Sequence, residues 1–207
     1  MAQYFQIHPE NPQLRLINQA VKILDAGGII VYPTDSCYAL GCRIGDKEAL
    51  QRIRRIRALD EKHLLTLMCK DLSDIGTYAR VGNSAFRLMK ALTPGPYTFL
   101  LTASRDVPRR LQHGKRKTIG LRVPGHPITS ALLHTLDQPL LSTSLILPGE
   151  EFPLNDPEEI HELLGNQVDL VIDGGLCGLE PTTVVDLLTD QAEVVRAGKG
   201  DTSAIGS

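Results

Sequence analysis

Five short stretches place polar side chains at the ends of apolar runs, the position at which α/β proteins hold their ligands. In VYPTDSCYALG, Val31 to Gly41, an apolar run halts at Pro33 and offers the hydroxyls of Thr34 and Ser36 beside backbone N–H groups. LTPGPYTFLL turns at Pro94-Gly95-Pro96 and delivers Thr98 to the start of a strand, because proline and glycine together fix a tight turn. In IGLRVPGHP a single cation, Arg122, interrupts an apolar strand; a charge so placed is paired with a carboxylate or binds an anion. PLLSTSLILPG embeds Ser142, Thr143 and Ser144 in a strand, where each hydroxyl needs a partner. DGGLCGLEPTTVVDL runs from a glycine-rich loop through Pro181 and Thr182 into another strand.

The chemistry available to these residues is electrostatic, with cations and hydroxyls surrounding an anionic substrate. There is no HExxH, no GxSxG and no Cys-His pair of recognised spacing, so metalloprotease and nucleophile-elbow mechanisms are disfavoured. The glycine-rich loop leads into a strand and not a helix, which excludes a Walker loop or a dinucleotide fingerprint. Cys37, Cys42, Cys69 and Cys177 form no CxxC pair; no metal site is expected, and free thiols in a reducing cytoplasm are the simplest expectation.

The elements that must position these residues follow from apolar periodicity. Asn11-Pro12 predicts a helix start with Gly27-Gly28 closing it, and Leu16, Ala20 and Leu24 give it a buried stripe. Asp46 predicts the cap of a second helix in which Leu50, Ile53 and Ile56 face inward, and NSAFRLMKAL a third. Helices are also expected at ITSALLHTL and PEEIHELLG, and strands at GIIVY, HLLTLMC, TFLLTA, TIGLRV, PLLSTSLIL, VDLVIDG, TTVVDLL and AEVVRA. Interleaved helices and strands, with three strands in quick succession between residues 168 and 196, predict a single α/β domain over residues 1–207, with a sheet of mixed direction. RDVPRRLQHGKRK and LPGEEFPLNDP are the candidate mobile loops.

At 207 residues and 42% hydrophobic, with no Trp, the chain can bury an aliphatic core. No apolar run is long enough for a membrane span and no secretion signal is visible, so a cytoplasmic protein is expected. The net charge of −2 hides a division: from Arg43 to Arg122 lie 18 of the 22 Lys and Arg residues against 7 acids, whereas Val123 to Val195 holds 13 acids and no Lys or Arg. Charge blocked this way folds either into one positive and one negative face, the positive one a footprint for polyanions, or into interleaved pairs. In RIRRIRALDEKHLL, at about 100° per residue, Arg52 and Arg55 share one flank of the second helix while Arg54 and Arg57 share the other.

Taken in order, GIIVYPTDSCYALG, RIRRIRALDEKHLL, LTPGPYTFLL, GLRVPGHP, STSLILPG, GLEPTTVVDL and VVRAGKG resemble the motifs of the YrdC-like threonylcarbamoyl-AMP synthase family over nearly the whole chain. The resemblance implies a twisted mixed sheet flanked by helices around a large concave basic groove. It also implies a reaction, in which ATP, bicarbonate and L-threonine give threonylcarbamoyl-AMP for N6-threonylcarbamoyladenosine in tRNA. It places Thr34, Thr143 and Thr182 on the substrate threonine, with Arg122 on its carboxylate. Arg57 and Ser144 become the catalytic and nucleotide-binding positions, joined by Arg196 on the nucleotide. No resident cofactor is required, although ATP and magnesium come with the resemblance.

The sequence departs from the family where the triphosphate would lie. Arg57-Ala58-Leu59 stands for a Lys-x-Arg pair, Thr143-Ser144-Leu145-Ile146 for Thr-Ser-Ala-Asn, and Tyr38-Ala39 for a tyrosine-glycine. His63-Leu64-Leu65-Thr66-Leu67 lacks the expected proline and the histidine after it. Leu59 cannot touch a phosphate, and Arg57 keeps the charge of a lysine but not its geometry. Losing one arginine from a transition-state charge costs on the order of 3 kcal/mol, so efficient ATP-dependent synthesis is not expected.

The leading expectation is RNA binding, to tRNA or double-stranded RNA, through Arg52, Arg54, Arg55, Arg109, Arg110, Lys115, Arg116 and Lys117. With aromatic residues at 4%, recognition would be by shape and phosphate contacts. The alternatives are hydrolysis of a threonylcarbamoyl linkage, in the free adenylate or on tRNA, and synthesis with weak ATP use.

Overall fold

The computed structural model describes residues 1–60, 63, 65–112 and 117–205. Their elements, in chain order, begin with β1 (Gln3–Gln6), α1 (Leu14–Asp25), β2 (Ile30–Tyr32), β3 (Ala39–Arg43), α2 (Lys47–Arg57) and β4 (Thr66–Met68). Then come α3 (Leu72–Tyr78), β5 (Ala79–Arg80), α4 (Asn83–Leu92), β6 (Tyr97–Ala103), β7 (Thr118–Arg122) and α5 (Pro127–Leu136). The chain closes with β8 (Leu140–Ser144), α6 (Pro157–Leu164), β9 (Leu170–Asp173), β10 (Thr183–Asp186) and β11 (Glu193–Arg196).

All the strands join one sheet in the order β1-β9-β2-β3-β8-β4-β7-β6-β10-β11, with β5 beside β6. Its directions are mixed, as expected: β2 and β9 are parallel, β3 and β8 antiparallel, β4 and β7 parallel, β6 and β7 antiparallel. The three late strands do not lie together, however. β9 sits near one end of the sheet and β10 and β11 at the other, so the glycine-rich loop between β9 and β10 has to cross the strand ends.

The two sheet faces are covered differently. One packs Val31, Leu40, Leu67, Phe99 and Leu121 against Leu50 and Ile53 of α2, Ile75 of α3, Met89 of α4 and Ile160 of α6. The other packs Ile30, Tyr32, Met68 and Leu170 against Ile17 and Leu24 of α1 and Ile128 and Leu132 of α5. Strand alternation sends Thr66, Gly120, Arg122, Thr98, Leu100 and Val184 to that second face, but none of them belongs to the apolar cluster under α1 and α5. The uncovered half becomes a cleft.

Local chemistry explains where the sequence was legible. Asp46 caps α2 by accepting the N–H of Ala49 at 2.9 Å, and α4 spans NSAFRLMKAL. The start of α1 differs from expectation: Gln13, not Asn11, is its N-cap residue, and Leu14 its first residue. The ring Nδ1 of His8 accepts the N–H groups of Glu10 and Asn11 at 3.2 and 3.1 Å, which holds residues 8–11 in a turn and delays the helix. β3 escaped notice because Gly41 interrupts its pattern; a Cβ there would lie 2.7 Å from the Tyr32 ring and 2.7 Å from Leu140. Helix α3 is one short stretch capped by Asp71 on Asp74 N–H with a glycine inside it, too weak in propensity to read.

The C-terminal end of α2 decides the fate of Leu59. Ala58 adopts a left-handed conformation, φ 50°, with its N–H on Arg55 O at 3.2 Å and the Leu59 N–H on Arg54 O at 2.9 Å. That is a Schellman stop, in which the residue after the left-handed one is commonly an apolar contact for the last turn. Leu59 fills that role, half-buried against the larger core cluster.

Candidate functional site

The cleft on the uncovered half encloses about 340 Å³. Thr34, Arg57, Arg122, Thr143, Ser144, Thr182 and Arg196 all line it, so every position assigned to the small-molecule site from sequence converges there. They arrive on separate elements: Arg57 as the last residue of α2, Arg122 as the last of β7, Ser144 as the last of β8, Thr182 just before β10 and Arg196 as the last of β11.

Thr34 is a hub. Its hydroxyl donates to Cys37 O at 2.6 Å and accepts the N–H groups of Ser36 and Cys37 at 3.1 and 3.2 Å, which ties the strand end into a rigid turn. Thr182 Oγ1 meets Thr98 Oγ1 at 2.9 Å, and Arg196 donates to Thr182 O at 2.9 Å from the rim. The neighbouring Thr183 faces the other way, donating to Gly200 O at 2.7 Å.

The buried cation in β7 is paired. Arg122 is 5% exposed and donates to the Asp35 carboxylate through Nη2, while the second Asp35 oxygen accepts Gly125 N–H at 2.7 Å. Its Nε is buried with no hydrogen-bond partner. Arg57 Nε is buried and unpartnered too, and no ion pair to Arg57 occurs among the described residues. Burial lowers the Arg57 guanidinium from its ordinary value. A cation withdrawn from water in this way is complementary to an anion in the cleft.

His63 also lines the cleft. Burial first, and then the Arg57 charge, lower its pKa from the ordinary histidine value, outweighing Asp60, so it is a neutral imidazole at pH 7. Sequence reasoning missed Asp35 and passed over His63. Asp35 lies 87 positions from Arg122, and no local pattern announces such a pair; the buried cation itself was the only signal that a carboxylate had to be near.

At the two positions where the family resemblance expects polar groups, the structure is apolar for different reasons. Ile146 lines the cleft, whereas Leu59 is turned into the core.

The cations assigned to RNA separate. Arg52 pairs with Asp169 at 2.9 Å and donates to Gln167 O at 3.1 Å, so its charge already has a partner within the chain. Arg43 pairs with Asp25 at 2.9 Å and Lys70 with Asp137. With Arg122–Asp35, these four pairs all join a cation of the 43–122 block to an acid outside it, so folding partly interleaves the charges. Arg54 and Arg110 line a depression of about 280 Å³ together with Lys47. Arg110 is held there by its bond to Gly45 O at 2.7 Å. Arg55, Arg109 and Lys117 are exposed; Lys115 and Arg116 lie outside the described residues. Arg54 and Arg57 are three residues apart on α2, one above the other, so the depression and the cleft share a helix edge.

A mixed α/β sheet with a half-covered face and a guanidinium-lined cleft defines the class, and comparison with known proteins places the chain within it. Residues 22–198 match the family described as Sua5_yciO_yrdC: Telomere recombination, and the chain belongs to this Sua5/YciO/YrdC family. It is 62% identical to the YciO protein of Escherichia coli (strain K12) over 201 residues, 97% of this chain and 98% of that one. The crystal structure of E. coli YciO superposes with a TM-score of 0.94 over 98% of both chains. A threonylcarbamoyl-AMP synthase of Chromobacterium violaceum is 40% identical over 144 residues, 69% of this chain and 74% of that protein. P. abyssi Sua5 complexed with L-threonine superposes with a TM-score of 0.86 at 25% identity, over 94% of this chain and 57% of the other. No helix among the described residues is long and apolar enough to cross a membrane.

Proposed function

We propose that this chain is an RNA-binding member of the family, acting in the cytoplasm, that takes the threonylcarbamoyl group of an adenosine, on tRNA or as the free adenylate, into its cleft. The observation that carries it is that Arg57 and Arg122 line one cleft and each keeps a buried Nε without a hydrogen-bond partner; guanidinium groups are the natural receptors for a phosphate and a carboxylate. A relative with the same fold binds L-threonine, which supports an amino-acid ligand for the cleft, its amino-acid end to be held at Thr34, Arg122 and Thr182. RNA backbone would follow Lys47, Arg54 and Arg110 up the edge of α2, delivering its base at Arg57. With Ile146 in the cleft and Leu59 in the core, the triphosphate of ATP is poorly served, so efficient synthesis is not part of the proposal. Among the described residues no three metal-ligating side chains cluster, so a magnesium ion would enter with the phosphates of a nucleotide.

The test is a salt titration of tRNA affinity. With three to five phosphates neutralised, affinity should fall about 100-fold between 50 and 200 mM salt, and the K47A/R110A variant should flatten the slope by about 2. A flat dependence in the native protein rejects RNA binding by this surface.

A neutral His63 in the cleft favours one catalytic outcome, hydrolysis of the threonylcarbamoyl linkage with His63 as general base for water. Incubated with threonylcarbamoyl-AMP or with modified tRNA, the protein should release threonine or its carbamate. Since the base must be unprotonated and its pKa is lowered, the rate should hold below the usual histidine range and fall only as the pH drops through that depressed value. His63→Gln should lose about 100-fold; an unchanged rate and pH profile in that variant removes His63 from the mechanism.

A further inference from the structure

Asp35 holds Arg122 in the way a ligand carboxylate would. Its Oδ1 takes the Arg122 guanidinium, its Oδ2 takes Gly125 N–H at 2.7 Å, and its side chain is 14% exposed, while Arg122 itself lines the cleft. Beyond it stands Lys199, an exposed residue whose ammonium donates to the carbonyl oxygen of Asp35 itself. The backbone of Lys199 is fixed by its N–H on Pro181 O at 2.9 Å, and that of Gly198 by its N–H on Thr183 Oγ1 at 3.0 Å. A second cation is therefore held on the backbone carbonyl of the same aspartate.

Resting on the reading that Arg122 receives a ligand carboxylate, we infer that Asp35 is a built-in competitor for Arg122, displaced onto Lys199 when a carboxylate ligand enters. In the empty protein Asp35 keeps a buried guanidinium from standing alone, which would be strongly unfavourable. The incoming carboxylate repeats the same charge-assisted contact and releases Asp35. The freed side chain finds the Lys199 ammonium, which draws the 198–199 turn and the Thr34–Cys37 turn together across the cleft mouth. Two consequences follow. Selectivity for carboxylates over their amides becomes steep, because only a charged ligand can pay the exchange with Asp35. The apparent affinity is lowered by the fraction of molecules in which Arg122 is free.

Calorimetric titration with N-acetyl-L-threonine, and with N-acetyl-L-threonine amide as the uncharged control, tests the exchange in the full chain. Asp35→Asn keeps the size of the side chain and an oxygen for Gly125 N–H but removes the competing charge. It should bind N-acetyl-L-threonine about tenfold more tightly than the native protein, with the amide unchanged. Damage to the site could only weaken binding, so tightening is a readout that a structural role does not produce. The ligand should also raise the thermal midpoint of Asp35→Asn more than that of the native protein. Lys199→Met, at an exposed position, leaves the fold in place and should bind the carboxylate several-fold more weakly. If the native protein binds and Asp35→Asn binds equally or worse, Asp35 only positions Arg122 and the competitor role is overturned while the cleft reading stands. If neither protein binds the carboxylate, the reading of Arg122 as its receptor fails and the exchange fails with it.

Discussion

Arg122→Ala is expected to lower stability by about 3 kcal/mol and to weaken carboxylate binding about 100-fold. Both effects come from one geometry. The side chains of Arg122 and Asp35 are 6% and 14% exposed, so removing the cation leaves a largely desolvated carboxylate whose remaining partner is a single backbone N–H. The pair itself need contribute little, because two desolvated charges cost about what their attraction returns. What is costly is breaking half of it. Asp35→Ala in the Arg122→Ala background should therefore recover part of the lost stability in urea denaturation while restoring no binding. A single Arg122→Ala variant with unchanged stability would mean that the freed Asp35 carboxylate is fully compensated by Lys199 or water, and that the pair with Arg122 is not what holds it.

The second large effect belongs to Gly198→Ala. A Cβ at this position would sit inside the van der Waals envelope of Pro181 O, with Thr182 O 2.6 Å away. Both neighbours are backbone atoms of the segment entering β10, and they cannot turn aside as a side chain could. Overpacking against fixed backbone should cost about 3 kcal/mol. The damage should also be functional, because the 198–199 turn holds Lys199 against Asp35 and is bonded to Pro181, a cleft residue. Urea denaturation and N-acetyl-L-threonine titration on the same sample should report both losses together; full stability in this variant would show that the C-terminal turn yields freely.

How much of this was legible in the sequence depended on range. Helix α4 and the inward face of α2 carry their pattern within a few residues, and the Asp46 cap sits three residues from the N–H it accepts. Arg122 declared itself because a cation inside an apolar strand has few explanations. The series of family motifs then gathered Thr34, Ser144, Thr182 and Arg196 into one site. The partners stayed hidden wherever they were distant in the chain: Asp169 is 117 positions from Arg52, and Asp35 is 87 from Arg122. For the same reason the charge blocks suggested a division that folding partly cancels. β3 and α3 were hidden by glycines, whose reason for being there, close approach in β3, is a tertiary fact.

The stop at the end of α2 bears on how the cleft could be re-equipped. The side chain at position 59 is an apolar latch beneath a left-handed residue, and a charged group placed there cannot both fill that role and reach a phosphate. With Ile146 also lining the cleft, adding polar groups at both positions takes two replacements, and the one at position 59 loosens a helix terminus. Position 59 acts as a ratchet, tying the end of α2 to the core at the expense of the cleft.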